Sequence, residues 1–314
     1  MSSVGSPAVQ HRLALQSMIP AFPDFKPLEI ADRAAVETIV HAFPPDSDFN
    51  FANLYSWNAQ VSSLHGNLAV RLTGYLGEVP FLTFIGRHRV AETAMQLLEL
   101  AKAQDHSALL RLVPESVARA LAEAGFALTA DDAATDYVFA VDHVAAMHEW
   151  TGHSFRRRIR QFAARHPDYT VRLAPLHTVD ADAFRALFAV WAKRKGHASP
   201  QASHEYPAFE RFLRLTEPSI ETVGLYVDTH LVGFSSFELL PGGTATVHFS
   251  KADNAFHSGI CNVLYWEEAK LLQARGVTHY NWGPDLGLQS LRQSKKKYKP
   301  CHFCKKFTVN APHG

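Results

Sequence analysis

Asp285, Gly287, Arg292 and Lys295 lie within eleven positions of one another near the C-terminal end of the chain, and their types suggest acid, base and anion chemistry. A helix read over 288–297 turns Leu288 and Leu291 toward a core. It sets Arg292 and Lys295, three apart, on a neighbouring face. Asp285 and Gly287 then occupy the loop after a strand, where functional side chains concentrate. A loop carboxylate beside two cations would orient a substrate ammonium or accept a proton, while the cations hold phosphate or an oxyanion. The same residues also make a salt-bridged loop under a solvated basic helix, and residue types alone favour that plainer reading.

Other residues add candidates. His248 and Lys251 end a predicted strand, and histidine is the side chain best suited to moving protons near neutrality. With 18 histidines in the chain, a given one is usually structural. Period-two alternation puts His248 and Ser250 on one face, Phe249 and Lys251 on the other, unless a bulge intervenes. Glu267, on the next helix, is a general-base candidate; its neighbour Glu268 reads as surface. Arg156, Arg157, Arg158, Arg160 and Arg165 share a helix whose buried stripe is Phe155, Ile159 and Phe162. The like-charged pair Arg156/Arg160 costs roughly 0.2–0.5 kcal/mol, which a phosphate partner would relieve. Together with Lys193, Arg194, Lys195 and 295–297 these form either a tRNA-phosphate surface or a solvated face, and the two readings weigh equally.

Several classes drop out. Cys301-His-Phe-Cys304 lacks the four ligands of a structural zinc site, since only Cys261 remains, and the stretch 301–309 reads as a strand. No metal is expected, and no P-loop, Gly-x-Ser-x-Gly elbow or dinucleotide fingerprint occurs. Three cysteines cannot build a disulfide framework, so a reducing cytoplasm is the expected compartment. No apolar run approaches the roughly 20 residues that span a bilayer. The first 21 residues lack the apolar core of a secretory leader. Net charge is +1, but 1–145 holds 9 Lys/Arg against 16 Asp/Glu, and 146–314 holds 22 against 14. A basic second half suits a phosphate-bearing partner: RNA, a nucleotide cofactor or a phospholipid surface.

The elements that must position these residues alternate. In the first half 68–72, 80–85, 109–113 and 137–141 read as strands, with helices at 91–102 and 116–124. In the second half Asp142 and Ser154 read as N-caps of successive helices, with Gly152 as a stop between them. A strand at 169–173 and helices at 182–195 and 206–215 follow. Apolar runs at 222–227, 232–239 and 244–249 then make an antiparallel meander, followed by a helix over 262–274 and a strand over 279–282. Length and composition fit an α/β (α+β) protein of two lobes. The expected division is a flexible arm 1–23, an N-terminal lobe 24–145 and a C-terminal lobe 146–314 carrying the main site.

The run Asn281-Trp-Gly-Pro-Asp-Leu-Gly-Leu-Gln-Ser-Leu-Arg-Gln-Ser-Lys-Lys-Lys-Tyr-Lys-Pro300 resembles the signature of the phosphatidylglycerol lysyltransferase C-terminal domain family. Asp285, Gly287, Leu291, Arg292, Lys295, Tyr298 and Pro300 carry the match. Val247-His-Phe-Ser-Lys251 resembles the family's His-Phe-x-Lys strand end, and Gly259 and Glu267 fall at its glycine and helix acid. Asp136-Tyr137, the Gly152/Arg156/Ile159/Phe162 series and 47–57 also resemble family positions, although Arg157 stands where an Asn is common. The resemblance implies two tandem GNAT-like lobes, each a mixed, largely antiparallel sheet flanked by helices, with the active site towards the cleft between them. It implies an aminoacyl ester on tRNA as donor, and Asn281, Gly287, Tyr298 and Gly259 as substrate contacts beside Lys251. Arg156, Arg157, Arg160 and Lys296 become tRNA contacts. The flippase domain or fused synthetase that often accompanies this domain has no counterpart in the chain.

Acyl transfer needs a fixed carbonyl, groups that stabilise an oxyanion, and a route for the nucleophile's proton. The expected catalytic set is Asp285, Arg292, Lys295, His248 and Glu267. Ordinary GNAT enzymes hold the coenzyme A pyrophosphate on a Gln/Arg-x-x-Gly-x-Gly/Ala loop at a helix start. The corresponding Asn254-Ala-Phe-His-Ser-Gly-Ile260 keeps one glycine, Gly259, and lacks the rest. The expected function is therefore aminoacyl transfer from aminoacyl-tRNA, with no cofactor. The acceptor would be a lipid or small-molecule hydroxyl or amine, reached in part through peripheral membrane contact. The alternatives are an acyl-coenzyme A-dependent N-acyltransferase and a non-catalytic RNA- or protein-binding module.

Overall fold

Short β-prone runs broken by turn residues build the first sheet. β1 (Lys26–Pro27), β2 (Gln60–Leu64), β3 (Asn67–Leu72) and β4 (Phe81–Ile85) pair antiparallel in that order. His65 and Gly66, both at positive φ, make the two-residue β2–β3 turn. Two helices precede β2: α1 (Arg33–Val40), and α2 (Phe51–Ser56), whose N-cap Asn50 accepts from the Asn53 amide. α3 (Val90–Ala103) buries Ala94, Leu97, Leu98 and Ala101 and crosses over to β5 (Leu110–Pro114), which runs parallel to β4. α4 (Glu115–Glu123) and β6 (Ala127–Ala130) follow. The computed structural model describes residues 19–77, 79–104, 108–150 and 154–312.

The second sheet repeats the plan. β7 (Asp136–Ala140), α5 (Val141–Ala145) and α6 (Ser154–Arg165) lead to β8 (Thr170–Pro175). α7 (Ala181–Arg194) starts at Asp180, whose side chain accepts from the amides of Asp182 and Ala183, and α8 (Tyr206–Phe212) follows. β9 (Ile220–Val227), β10 (His230–Leu240) and β11 (Thr244–Ala252) form the expected meander. α9 (Ile260–Ala274) crosses to β12 (His279–Asn281), parallel to β11. α10 (Gln289–Lys297), β13 (His302–Cys304) and β14 (Lys306–Asn310) close the chain. Ile260 and Leu264 of α9 cover Gly233 on one face of β10; Phe184 of α7 and Phe209 of α8 stack on Phe234 on the other. Among the described residues no helix is long and apolar enough to cross a membrane.

The strand orders are β1-β2-β3-β4-β5-β14-β6 and β13-β7-β12-β11-β10-β9-β8. Each sheet holds a meander, then a strand parallel to its last member, then an antiparallel strand from a distant part of the chain. β14 takes that place beside β5, and β7 takes it beside β12. The protein is thus an α/β fold of two mixed seven-stranded sheets flanked by helices, one topology used twice without a sequence repeat.

This exchange moves the expected boundaries. The units are Met1–Thr135 with Cys304–Gly314, and Asp136–Phe303. β7 follows the first unit in sequence but pairs with β12, Phe139 opposite Tyr280, so the division falls at 135/136 and not 145/146. The single strand expected over 301–309 breaks at Lys305, one piece entering each sheet. Of the expected arm, 1–18 lie outside the described residues, as does Gly152. The described part is held: Ile19 is buried, Ser63 donates its amide to the Pro20 carbonyl at 2.8 Å, and Phe22 donates to the Ser63 carbonyl at 3.0 Å. Asp142 lies inside the first turn of α5, whose N-cap is Ala140, and Ser154 is itself helical, so neither sits at the expected cap. β14 carries the fully buried Lys306 into the first unit, where its ammonium meets Asp46, Asp48 and the Ser47 hydroxyl.

Candidate functional site

After β12 the chain cannot continue as a strand, because Gly283, Leu286 and Gly287 all take positive φ. The loop they form is held by side chains at both ends. Asn281, fully buried, accepts from the Gly283 amide at 2.8 Å and donates to Asp136 at 3.0 Å. The Lys295 ammonium, carried back by α10, donates to the carbonyls of Trp282, Gly283 and Pro284 at 2.7, 2.8 and 2.7 Å. All three of its protons are therefore used on backbone. β7 supports the loop from the other side: Trp282 donates to the Tyr137 carbonyl, and Tyr137 donates to the Gly283 carbonyl, each at 3.0 Å.

Asp285 is buried at the loop's centre. Its Oδ2 accepts from the Tyr137 hydroxyl at 2.7 Å and from Arg292 Nε at 2.7 Å; its Oδ1 accepts from the Gly287 amide at 2.8 Å and from Arg292 Nη2 at 3.2 Å. Burial pushes this carboxyl up, but the Arg292 guanidinium, the Tyr137 hydroxyl and the Gly287 amide together hold it below its ordinary value. Burial and Asp285 raise the Tyr137 hydroxyl to about 12, so it stays a donor. Four donors fill the four acceptor positions of the carboxylate, which is not placed to take a proton from substrate. Lys295, likewise saturated, positions the loop and does not face an oxyanion. Arg292 is different. Its side chain is 37% exposed, and only two of its N–H groups are spent on Asp285. The expected core placement of Leu288 also fails: it is the N-cap of α10, 56% exposed, while Lys295 takes the buried position.

The other expected residues divide between the two faces of the sheet. A bulge shifts the β10–β11 register so that Ser236 opposes Phe249 and Phe237 opposes Val247, leaving His248 as the extra residue. His248 and Phe249 consequently both pack on Phe212 of α8, and strict alternation is lost. His248 Nε2 lies 3.6 Å from Glu238, both side chains almost wholly enclosed. Lys251 pairs with Glu205 at 2.7 Å and stands 4.1 Å over the Trp191 ring. On the opposite face Tyr298 stacks on Phe155, meets Trp282 edge-on and accepts from Asn262 of α9. His248 and Lys251 are therefore not brought to Asp285. Glu267 is engaged by Tyr169 at 2.7 Å and Lys270 at 2.8 Å, and is not at the loop either.

Between Tyr298 and Ser250 the sheet opens. β11 and β12 pair over Thr244–Thr246 and His279–Asn281, and β11 then runs on to Ala252 past the end of β12. Tyr265, Trp282 and Tyr298 line the α9 side of this opening, with Tyr265 against Ser250 at 3.4 Å. The 253–259 segment that leads into α9 spends its amides internally. Ala255 and Phe256 each donate to Asp253 at 3.2 Å, and Gly259 donates to His257 at 3.0 Å. A Cβ on Gly259 would lie 3.0 Å from the Arg158 carbonyl, so this glycine permits contact with α6, not a phosphate cradle. The α6 stripe of Phe155, Ile159 and Phe162 is buried as expected, with Arg157 and Arg160 exposed and Arg156 half-buried; Lys296 of α10 is also exposed.

Sequence reading missed Glu268, Trp282 and Tyr265. Glu268, read as surface, is fully buried, accepts from Ser235 at 3.1 Å and lies beside Tyr280; burial, with those hydroxyls opposing, pushes its carboxyl up to about 7. The signal was its spacing, since Leu264, Glu268 and Leu272 share one face of α9. A cavity of about 670 Å³ in the first unit, lined by residues including Ile39, Phe43, His65 and Arg87, touches none of the expected site residues.

Two results are expected. Lys295→Met leaves three loop carbonyls without their donor and should lower unfolding stability by about 2–4 kcal/mol in urea titrations; a loss under about 0.5 kcal/mol would show the clasp to be ornamental. A raised Glu268 value means that the folded protein holds this proton more tightly than the unfolded chain does. Its contribution is present below the unfolded value of 4.5 and is lost as pH rises through about 7. Glu268→Gln should therefore flatten the fall in Tm between about pH 5 and about pH 8, and an unchanged profile would count against the assignment.

Comparison with known proteins agrees with this architecture. A conserved protein of unknown function from Bacteroides thetaiotaomicron superposes with a TM-score of 0.76 at 21% identity, covering 91% of this chain and 99% of that one. L-PGS from Bacillus licheniformis gives 0.62 at 13% identity, with 93% of each chain covered. A tandem GNAT protein from the clavulanic acid biosynthesis pathway gives 0.51 at 12% identity, covering 93% of this chain and 99% of that one. No curated protein matches the sequence significantly. At these identities the superpositions speak for the tandem GNAT-like fold alone. The sequence match is broader: residues 43–310 fit the family described as phosphatidylglycerol lysyltransferase, C-terminal. The chain belongs to that family, and is a GNAT-like domain of transferase type.

Proposed function

We propose that this protein is an aminoacyltransferase that takes its acyl group from aminoacyl-tRNA and gives it to a hydroxyl or amine acceptor. The observation that carries the donor assignment is the 253–259 loop. A coenzyme A pyrophosphate would need free backbone N–H groups at the start of α9. Here the segment leading into α9 already spends its amides internally: those of Ala255 and Phe256 on the Asp253 carboxylate, and that of Gly259 on His257. Asp253 is in turn paired with Arg194 at 3.0 Å. An ester on the terminal ribose of an RNA needs no such cradle, and its phosphates can be met by the exposed Arg157, Arg160 and Lys296, with Arg156 behind them.

In this reading the aminoacyl carbonyl enters the opening between β11 and β12, against Trp282 and Tyr298. Arg292 supplies N–H groups to the oxyanion that forms when the acceptor attacks, and Asp285 holds the guanidinium in place. The new bond joins the acceptor oxygen or nitrogen to the carbonyl carbon, and the carbon–oxygen bond to the ribose breaks. The acceptor's proton leaves with the ribose hydroxyl; Asp285, His248 and Glu268 are all committed to other partners or enclosed. Leu286 and Leu288 stand 49% and 56% exposed on the same loop as Asp285, an apolar ledge that favours a lipid acceptor over a small polar one.

The test uses purified protein, total tRNA charged with labelled amino acids, and a cell extract divided into lipid and small-molecule fractions. Label should move into an RNase-resistant product in the lipid fraction only while the tRNA is intact. Arg292→Lys, which keeps the charge but loses the fork, should cut kcat/KM by about 10–100-fold with its fold preserved. Transfer from labelled acetyl-coenzyme A but not from tRNA would sink this reading, and tRNA binding without turnover would leave a binding module instead.

A further inference from the structure

β7 lies between β12 and β13, and its Ala140, directly opposite His279, is too small to separate the side chains on either side. His279 of β12 and His302 of β13 reach over it until their rings are 5.3 Å apart at 72°. Cys301 stands beside them, its sulfur 3.5 Å from His302 Nδ1. One ligand atom from each of these three residues lies within 4.8 Å of the other two. His279 is also oriented from behind. Its Nδ1 is 2.9 Å from the Thr278 hydroxyl, which donates to the Gly243 carbonyl at 3.2 Å, so Nδ1 carries the ring proton and Nε2 the lone pair.

We propose that His279, Cys301 and His302 bind one divalent transition-metal ion of zinc type, with the fourth position taken by water. One thiolate and two imidazoles make a mixed N/S set suited to tetrahedral zinc with one open position. Bond lengths of about 2.0–2.3 Å put tetrahedral ligand atoms roughly 3.3–3.8 Å apart. The cluster would therefore close by about an ångström, which the exposed Cys301 and His302 side chains do by rotamer adjustment. The Thr278 hydroxyl is the outer partner that fixes a metal-binding imidazole's tautomer.

The site has a structural consequence. His279 ends the chain's approach to the Asn281–Tyr298 segment, and Cys301 begins its exit. A metal between them would close the loop that carries Asp285, Arg292 and Lys295. Sequence spacing did not reveal this set because His279 comes from a separate strand, and Cys304, the partner suggested by the Cys-x-x-Cys spacing, falls in the other unit.

The test is titration of chelator-treated full-length protein with cobalt(II), and in parallel with zinc(II). One equivalent of cobalt should produce tetrahedral ligand-field bands with a thiolate charge-transfer band, and zinc should displace it and raise Tm. Cys301→Ser should abolish the charge-transfer band and weaken binding at least about tenfold, and Cys304→Ser should change nothing. Circular dichroism of each variant separates loss of the site from loss of the fold; His279→Ala is the replacement if Cys301→Ser does not fold. Absence of the charge-transfer band in the wild-type protein, its persistence in Cys301→Ser, or its loss in a folded Cys304→Ser would overturn the proposal.

Discussion

The ammonium of Lys295 is held by three consecutive backbone carbonyls, and much of the second unit's candidate site depends on that contact. Carbonyls at 282–284 point the same way because the loop turns through positive φ, and without a cation between them they would repel one another in a buried setting. With the loop fixed, Asp285 comes to rest under Tyr137, and Arg292 is drawn onto it through two parallel N–H bonds. The closely spaced acid, arginine and lysine thus separate into different jobs. Lysine and aspartate hold the loop, and arginine, 37% exposed, keeps N–H groups beyond the two spent on Asp285.

Strand exchange explains why this loop needs such support. β12 is only three residues long, pairs with β11 over those residues, and has β7 as its other neighbour. β7 arrives from the end of the first unit's sequence and supplies Tyr137 as well as the backbone partners of Trp282 and Gly283. β14 makes the reciprocal journey and delivers Lys306 to the acids of the first unit. Each unit therefore has one strand whose place is set by pairing across long sequence separation, and each such strand carries a side chain that completes a buried polar cluster.

Much of the fold was legible. The meander announced itself through apolar runs and turn residues, and α9 through its periodicity, because both signals are local. The unit boundary was not legible, since β7 and β14 are placed by pairing partners far away in sequence. At the site, the identity of the clustered residues was readable from spacing, but their roles were not. Whether Lys295 or Leu288 faces inward depends on where α10 begins, and a one-residue bulge at His248 overrides strand alternation. Glu268 and Glu267 differ only by a helical step of about 100°, yet one is enclosed and the other bridges Tyr169 and Lys270.

If the donor is an ester on RNA, the protein should bind a charged acceptor end and not coenzyme A. The most direct measurement is calorimetric titration of the protein with a short RNA acceptor helix bearing a non-hydrolysable amide-linked aminoacyl adenosine, followed by competition with coenzyme A. Saturable one-to-one binding that weakens steeply with salt and is untouched by coenzyme A is expected. Tight binding of coenzyme A that displaces the RNA helix would contradict it.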